Sequence, residues 1–451
     1  MGEPWELTLA EAGELIRRGA LSPVELTRSL LDRIAALEPR VQAWARTVPE
    51  QALVEAERLE DLLRRGTHLG PLHGIPVGIK DIYYTAGLET SAGSKILGGF
   101  VPTFDATVVR RLRENGAILL GKTTTTEFAY FDPPPTRNPW NPGHTPGGSS
   151  SGSAAAVAAR MCPGAFGTQT GGSIVRPAAF CGVVGLKPTY GRVSRHGILA
   201  FAWSLDHPGP IARTVRDVAL LLQAVAGADP RDPTAVPRRV PAYTEALDEP
   251  PRGLIAGVPD RYFPERASGA VLATFQKAVG VLEELGILVR EVRLPEVFEA
   301  GVEAGRVITH AEGAAFHQDW FRRRAQDYGP KLRGLIEAGL LIPAASYLRA
   351  QQVRAAAIQA MRRLFAEVDV LVTPATPGPA PEGLASTGDP VFNAPASTFG
   401  LPALGVPMGF APSGLPLGLQ IMGRHFDEAT VLRVGAAYEA ATPWHHSRPA
   451  L

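Results

Sequence analysis

Apolar positions recur along the chain at alternating helical and strand spacings. Thr8 with Glu11 and Ser22 with Glu25 fit a capping box, and Pro23 suits a first helical position. Leu26, Leu30, Ile34 and Leu37 then repeat on one helix face. A third helix is predicted over 50–65, stopped by Gly66. Ile75, Val77 and Ile79 alternate, which predicts a strand ending at Lys80-Asp81. Residues 105–115 read as helix closed by Gly116, and 117–120 as an apolar strand. Residues 133–152 are dense in Pro, Gly, Ser and Asn and read as loop, and 153–160 as an Ala-rich helix.

The second half continues the alternation. Helices are predicted over 214–226, 271–285 and 427–440, and strands over 254–258, 287–292, 368–373 and 418–422. Residues 302–367 form a long, mixed, mainly helical stretch. The Pro/Gly-rich segment 375–395 reads as loop and not as a linker, because strand-like sequence resumes after it. Helices alternating with short strands imply an α/β fold whose sheet is covered on both faces. No internal repeat is visible.

Composition changes this picture little, but it narrows the partners. With 45% hydrophobic residues the chain buries a large core. Its 45 Lys plus Arg against 44 Asp plus Glu give no bulk attraction to nucleic acid or acidic lipid. The run Arg322 to Arg324 reads as a solvated helix face. Two cysteines, Cys162 and Cys181, make neither a disulfide framework nor a zinc set, and Cys181 sits in an apolar run that reads as packing. The first residues carry no secretory signal, and no run of about 18 apolar residues suggests a membrane span. The expectation is a soluble, cytoplasmic protein, monomer or homodimer, acting on a small molecule without nucleic acid or membrane.

Two motif matches fail on physical grounds. Gly116-Ala117-Ile118-Leu119-Leu120-Gly121-Lys122-Thr123 fits a phosphate-loop pattern, but its middle residues are apolar and a helix precedes it, where a phosphate loop follows a strand. Gly148-Ser149-Ser150-Ser151-Gly152 fits a nucleophile elbow, but no strand leads into it. His207, His310, His317 and His425 are scattered and read as structural.

Three segments are not explained by packing alone. Gly74-Ile75-Pro76-Val77-Gly78-Ile79-Lys80-Asp81 delivers a lysine at the end of a buried strand, where an isolated charge is costly. Gly147-Gly148-Ser149-Ser150-Ser151-Gly152-Ser153 looks like a flexible linker, but runs directly into an Ala-rich helix. In Gly167-Thr168-Gln169-Thr170-Gly171-Gly172-Ser173-Ile174-Val175-Arg176, the two glycines before Ser173 let backbone N–H groups converge, as an oxyanion hole requires.

Together these segments resemble the amidase signature family. The resemblance covers most of the chain and continues through Gly185-Leu186-Lys187-Pro188-Thr189-Tyr190-Gly191, Ser204-Leu205-Asp206, Gly400-Leu401-Pro402-Ala403 and Gly414-Leu415-Pro416-Leu417-Gly418-Leu419-Gln420. Ser149 lies 24 residues before Ser173, and Lys80 lies 93 before it, as family spacing asks. The resemblance implies one α/β/α sandwich domain over 1–451, a mixed central sheet flanked by helices, with the variable helical region about 302–367 near the substrate pocket.

It also implies the roles. Ser173 is the expected nucleophile, Ser149 the bridging serine after a cis peptide bond from Gly148, and Lys80 the base. The N–H groups of Thr170, Gly171, Gly172 and Ser173 are the expected oxyanion hole, with Ser150 supporting Lys80 by hydrogen bonding. Arg176 and Tyr130 are candidate substrate contacts. No metal or cofactor is called for. The chain departs from many relatives in having Ser151 for Gly, Gln169 for Asp, and Val175 for an Arg two residues past the nucleophile, with Arg176 at three.

The implied activity is hydrolysis of carboxylic amides, with aryl esters and carbamates (urethanes) as side substrates. The alternative is the glutamine-hydrolysing A subunit of a tRNA-dependent amidotransferase. Residues 123–138 look more like the stand-alone amidases. The run Gly339-Leu340-Leu341-Ile342-Pro343 is expected near an apolar pocket mouth that favours aryl amides, whereas Arg176 favours a substrate carboxylate.

Overall fold

The computed structural model describes residues 2–451. Its strands are β1 (Trp44–Thr47), β2 (Pro76–Lys80), β3 (Ile118–Thr123), β4 (Gly164–Gln169), β5 (Val184–Lys187), β6 (His207–Ala212), β7 (Ile255–Pro259), β8 (Leu288–Val292), β9 (Val370–Pro374), β10 (Ala403–Phe410) and β11 (Pro416–Gly423). They form one mixed sheet in the order β1-β3-β2-β4-β6-β5-β10-β11-β9-β7-β8. β2 pairs in parallel with β3 and β4, and β7 with β8 and β9, while the middle of the sheet is antiparallel. Helices flank it, so the α/β fold with a mixed central sheet stands as expected.

The predicted elements fall close to their observed bounds. Thr8 makes its capping box with Glu11, but Ser22 caps by accepting from Val24 and Glu25 N–H without a reciprocal bond from the Glu25 side chain. The buried strand before Lys80 is β2, and all five of its residues are buried. Five strands are additions to the predicted set: the glycine-bearing β4 (GAFGTQ), β5, β6 (HPGPIA) and β10, and the short β1. Glycine has a packing reason in β6, where a Cβ on Gly209 would lie 2.1 Å from the Leu186 carbonyl oxygen.

The phosphate-loop look-alike lies in β3 and the turn before it. Gly121 takes φ 148°, and a Cβ there would lie 2.1 Å from the Arg46 carbonyl oxygen on β1. Lys122 is buried and faces Asp81 at 3.5 Å, donating also to Thr90 Oγ1 at 2.8 Å and to the Tyr83 carbonyl. Burial lowers the Lys122 amine to about 8. The glycine and the lysine of that motif therefore both have structural roles.

The Gly/Ser-rich segment is packed, not flexible. Every residue of the helix Ser151–Ala158 is buried, and a Cβ on Gly152 would strike the Ala43 carbonyl oxygen at 2.1 Å. The helix after Ser173, Val175–Cys181, is also wholly buried, against β5, β10 and β11. Cys162 and Cys181 are buried free thiols, and burial pushes Cys162 up to about 12. Among the described residues no helix is long and apolar enough to cross a membrane, and no group of three metal-ligating side chains converges.

Candidate active site

Lys80 ends β2 and is fully buried. Its Nζ lies 2.7 Å from Ser149 Oγ and 2.9 Å from Thr168 Oγ1. Burial pushes its amine well below the ordinary lysine range, and Asp206 opposes that shift through its charge. Lys80 forms no ion pair with any described residue, so the charge of Asp206, acting without contact, offsets its desolvation only in part. Asp81, its neighbour in sequence, pairs with Lys122 instead.

The two Gly/Ser segments meet above this lysine. Ser150 N–H donates to the Ser173 carbonyl at 3.3 Å, and Thr126 N–H to the Ser149 carbonyl at 3.3 Å. The Gly148–Ser149 peptide bond is cis, as the resemblance implied. Ser149 is buried, while Ser173 keeps 8% of its surface exposed. The N–H groups of Thr170, Gly171, Gly172 and Ser173 donate to no other described group. A Cβ on Gly172 would lie 2.7 Å from Asn393 Oδ1, so only glycine fits that turn.

Ser150 makes no hydrogen bond to Lys80. Its hydroxyl donates to the Thr168 carbonyl at 3.2 Å and accepts from Thr168 N–H at 3.2 Å. The reason is packing: Gly167 has no side chain, and a Cβ there would lie 2.5 Å from Ser150 Oγ. Ser150 thus ties down the strand whose Thr168 contacts the lysine. Thr168 is the residue that sequence reasoning missed. Only the period-2 alternation of β4 would have placed it, and the glycines of that strand mask the pattern.

Ser173 opens into a cavity of about 440 Å³. Tyr130, Phe131, Phe201, Tyr262 and Val302 make its apolar wall, and Glu303, Arg306, His310 and Asp389 its polar side. Tyr130 stacks on Phe201 with ring centroids 5.1 Å apart, so this candidate contact does face the site. Phe128 and Ala129, just before it, adopt left-handed backbone (φ 44° and 63°), held where Phe128 packs edge-on against His317. His310, expected to be structural, lines the cavity, whereas His207, His317 and His425 bond to backbone or Tyr328 away from it.

Two expectations about the pocket change. Arg176 borders the cavity, but both its terminal nitrogens are engaged: they donate to the Gly388 carbonyl at 2.6 Å, to the Gly148 carbonyl at 2.6 Å and to Thr387 Oγ1 at 3.3 Å. Burial lowers its basicity to about 10. The run 339–343 is not at the mouth. Gly339 packs on the His310 carbonyl, and Leu340 and Leu341 face outward, 50% and 82% exposed. Of the stretch 302–367, only its first turns, residues 302–310, reach the cavity.

A buried lysine beside a hydroxyl, a second serine on a glycine turn and free N–H groups can carry acyl transfer. The chain belongs to the amidase family, whose model matches residues 25–432, and it is an enzyme of that family. It is 44% identical to the A subunit of glutamyl-tRNA(Gln) amidotransferase from Chloroflexus aggregans (strain MD-66 / DSM 9485), over all of this chain and 99% of the relative. It superposes with TM-score 0.91, at 34% identity and over 96% and 98% of the two chains, on a structure described as a vestigial protein complex that reveals the origins of an s-triazine catabolic enzyme. With the peptide amidase of Stenotrophomonas maltophilia the values are 0.82, 36% and 97% of each chain. The leaning toward stand-alone amidases drawn from residues 123–138 is thus not where the similar curated sequences fall.

Proposed function

We propose that the protein hydrolyses carboxylic amide C–N bonds through Ser173, Ser149 and Lys80. The observation that carries this reading is the 2.7 Å contact of a fully buried Lys80, which makes no ion pair, with Ser149 Oγ. A lysine in water is protonated near neutrality and accepts nothing. Burial favours the neutral amine, which takes the Ser149 proton as Ser149 takes that of Ser173. Ser173 Oγ bonds to the amide carbon, and the carbonyl oxygen gathers negative charge against the N–H groups of residues 170–173. The proton then returns through Ser149 to the nitrogen, the C–N bond breaks, and an amine or ammonia leaves. Water repeats the sequence on the Ser173 ester and releases the acid.

Two substrate readings have separate support. Curated relatives 41–44% identical over nearly their whole lengths carry the name of the amidotransferase component, which favours hydrolysis of the glutamine carboxamide within a complex. The aromatic wall of Tyr130, Phe131 and Phe201 supports aryl amides, with aryl esters and carbamates beside them. The relatives give the first reading more weight. Release of ammonia from glutamine and of aniline from acyl anilides by the purified chain separates them. A kcat/KM for glutamine at least ~10-fold above the anilides supports the amidotransferase reading, and the reverse supports the stand-alone amidase.

A further inference from the structure

Gln169 stands directly behind the nucleophile turn and is fully buried. Its Oε1 accepts from Ile174 N–H at 2.9 Å and Val175 N–H at 3.0 Å. Those two donors fix which end of the amide is oxygen, so Nε2 points the other way and donates to Ser397 Oγ at 3.0 Å. With that lone pair of Ser397 engaged, its hydroxyl proton is available elsewhere. It goes to the Gly171 carbonyl at 2.7 Å, since the other acceptor in reach, the Asn393 carbonyl, lies at 3.5 Å. The Gly171 carbonyl and the Gly172 N–H belong to one planar peptide, so fixing the oxygen fixes the direction of the N–H. Ser397 lies on the short helix Ala394–Thr398, held by an independent set of bonds, in which Asn393 donates to the Ala375 carbonyl and to Gln420 Oε1 at 2.9 Å each.

We propose that Gln169 and Ser397 form a polarity-setting relay that aims the Gly172 N–H at the developing oxyanion. The pair are positioning residues, since neither touches the reacting atoms, and the inference rests on the proposed role of Ser173. The amide of Gln169 is required because it both accepts and donates. A carboxylate at this position accepts only, so it takes the Ser397 proton and withdraws it from the Gly171 carbonyl.

The test uses the full chain and a fluorophosphonate, whose adduct on Ser173 places an oxygen in the oxyanion position. Rates of inactivation are resolved into a binding constant and a maximal rate for wild type, Ser397→Ala, Ser397→Thr, Gln169→Glu and the Glu/Ala double variant, with Tm measured for each. The relay predicts that Ser397→Ala and Gln169→Glu each lower the maximal rate about 10- to 100-fold with little change in binding. Ser397→Thr restores most of it, and the double variant is no slower than the slower single one. Labelled wild type with unchanged rates in the single variants overturns the relay alone. Additive losses that follow Tm overturn it as well, by showing a structural role only. Wild type that is not labelled at Ser173 overturns the serine-hydrolase reading and the relay with it.

Discussion

Asp206 acts on Lys80 through its charge with no ion pair between them, and its carboxylate is bound instead by Thr170 Oγ1 at 2.5 Å and by Phe201 N–H at 2.7 Å. The acid thus raises the lysine's basicity, against burial, while anchoring the turn that leads to Ser173. Asp206→Asn removes that charge, so the lysine loses its proton at lower pH. The expected outcome is a rising limb of kcat displaced to lower pH, alongside a reduced plateau from the weaker anchor. A pH profile measured from 5 to about 10 checks it; a limb displaced upward contradicts the electrostatic sign.

The wild-type limb itself follows from burial. Activity should rise with pH as Lys80 becomes neutral, with a midpoint below the ~10.4 of free lysine. The same shift bears on stability. An amine whose folded value lies below its unfolded value binds more protons unfolded, so it costs stability below the folded value, and the cost fades as pH rises toward the unfolded one. Lys80→Met should therefore abolish turnover yet raise Tm near neutrality, by an amount that shrinks at alkaline pH. Calorimetry at pH 7 and at about 10 tests this, and a lower Tm at both contradicts it.

Much of the site is legible in the sequence because its residues are chemically conspicuous. A lysine ending an apolar strand and two Gly/Ser segments at fixed separation point to Lys80, Ser149 and Ser173, and the structure brings these segments together. What is not legible depends on partners far apart in sequence. Ser397 meets Gly171 across 226 residues, and Arg176 meets Gly388 across 212. No local pattern records such pairings. The strands β4 and β6 are hidden because their Gly and Pro read as turn signals, whereas in the sheet Gly209 makes room for a neighbouring backbone. The role expected of Ser150 fails for a related reason: the missing side chain of Gly167 steers its hydroxyl onto the Thr168 backbone.

Arg176 should behave as a brace. Its two bonds at 2.6 Å hold the Gly148 carbonyl, next to Ser149, and the Gly388 carbonyl, next to Asp389 on the cavity rim. Arg176→Ala leaves the buried Gly148 carbonyl and the half-buried Gly388 carbonyl without that donor, at a cost of about 1–3 kcal/mol. Activity on a neutral anilide and on its carboxylate-bearing analogue should fall by similar factors. A loss confined to the carboxylate substrate would show instead that the guanidinium binds it.

Substrate selectivity should map to the wall that the cavity actually has. Leu340 and Leu341 point outward, so replacing both by serine should leave kcat/KM for an acyl anilide within about twofold, since exposed positions away from a site change little. Tyr130 and Phe131 meet edge-on at 4.8 Å and line the cavity, with Tyr130 stacked on Phe201. Truncating Phe131 to alanine removes apolar surface at about 25 cal/mol per Å². An aryl substrate resting there should lose roughly 10-fold or more in kcat/KM, chiefly through KM, because such contact is made equally before and during the reaction. Glutamine, whose polar side chain gains little from that ring, should be affected less. Steady-state kinetics of the two variants on both substrates decide the point. Equal losses on glutamine and anilide would mean that Phe131 shapes the turn around Ser173 and does not select the acyl group.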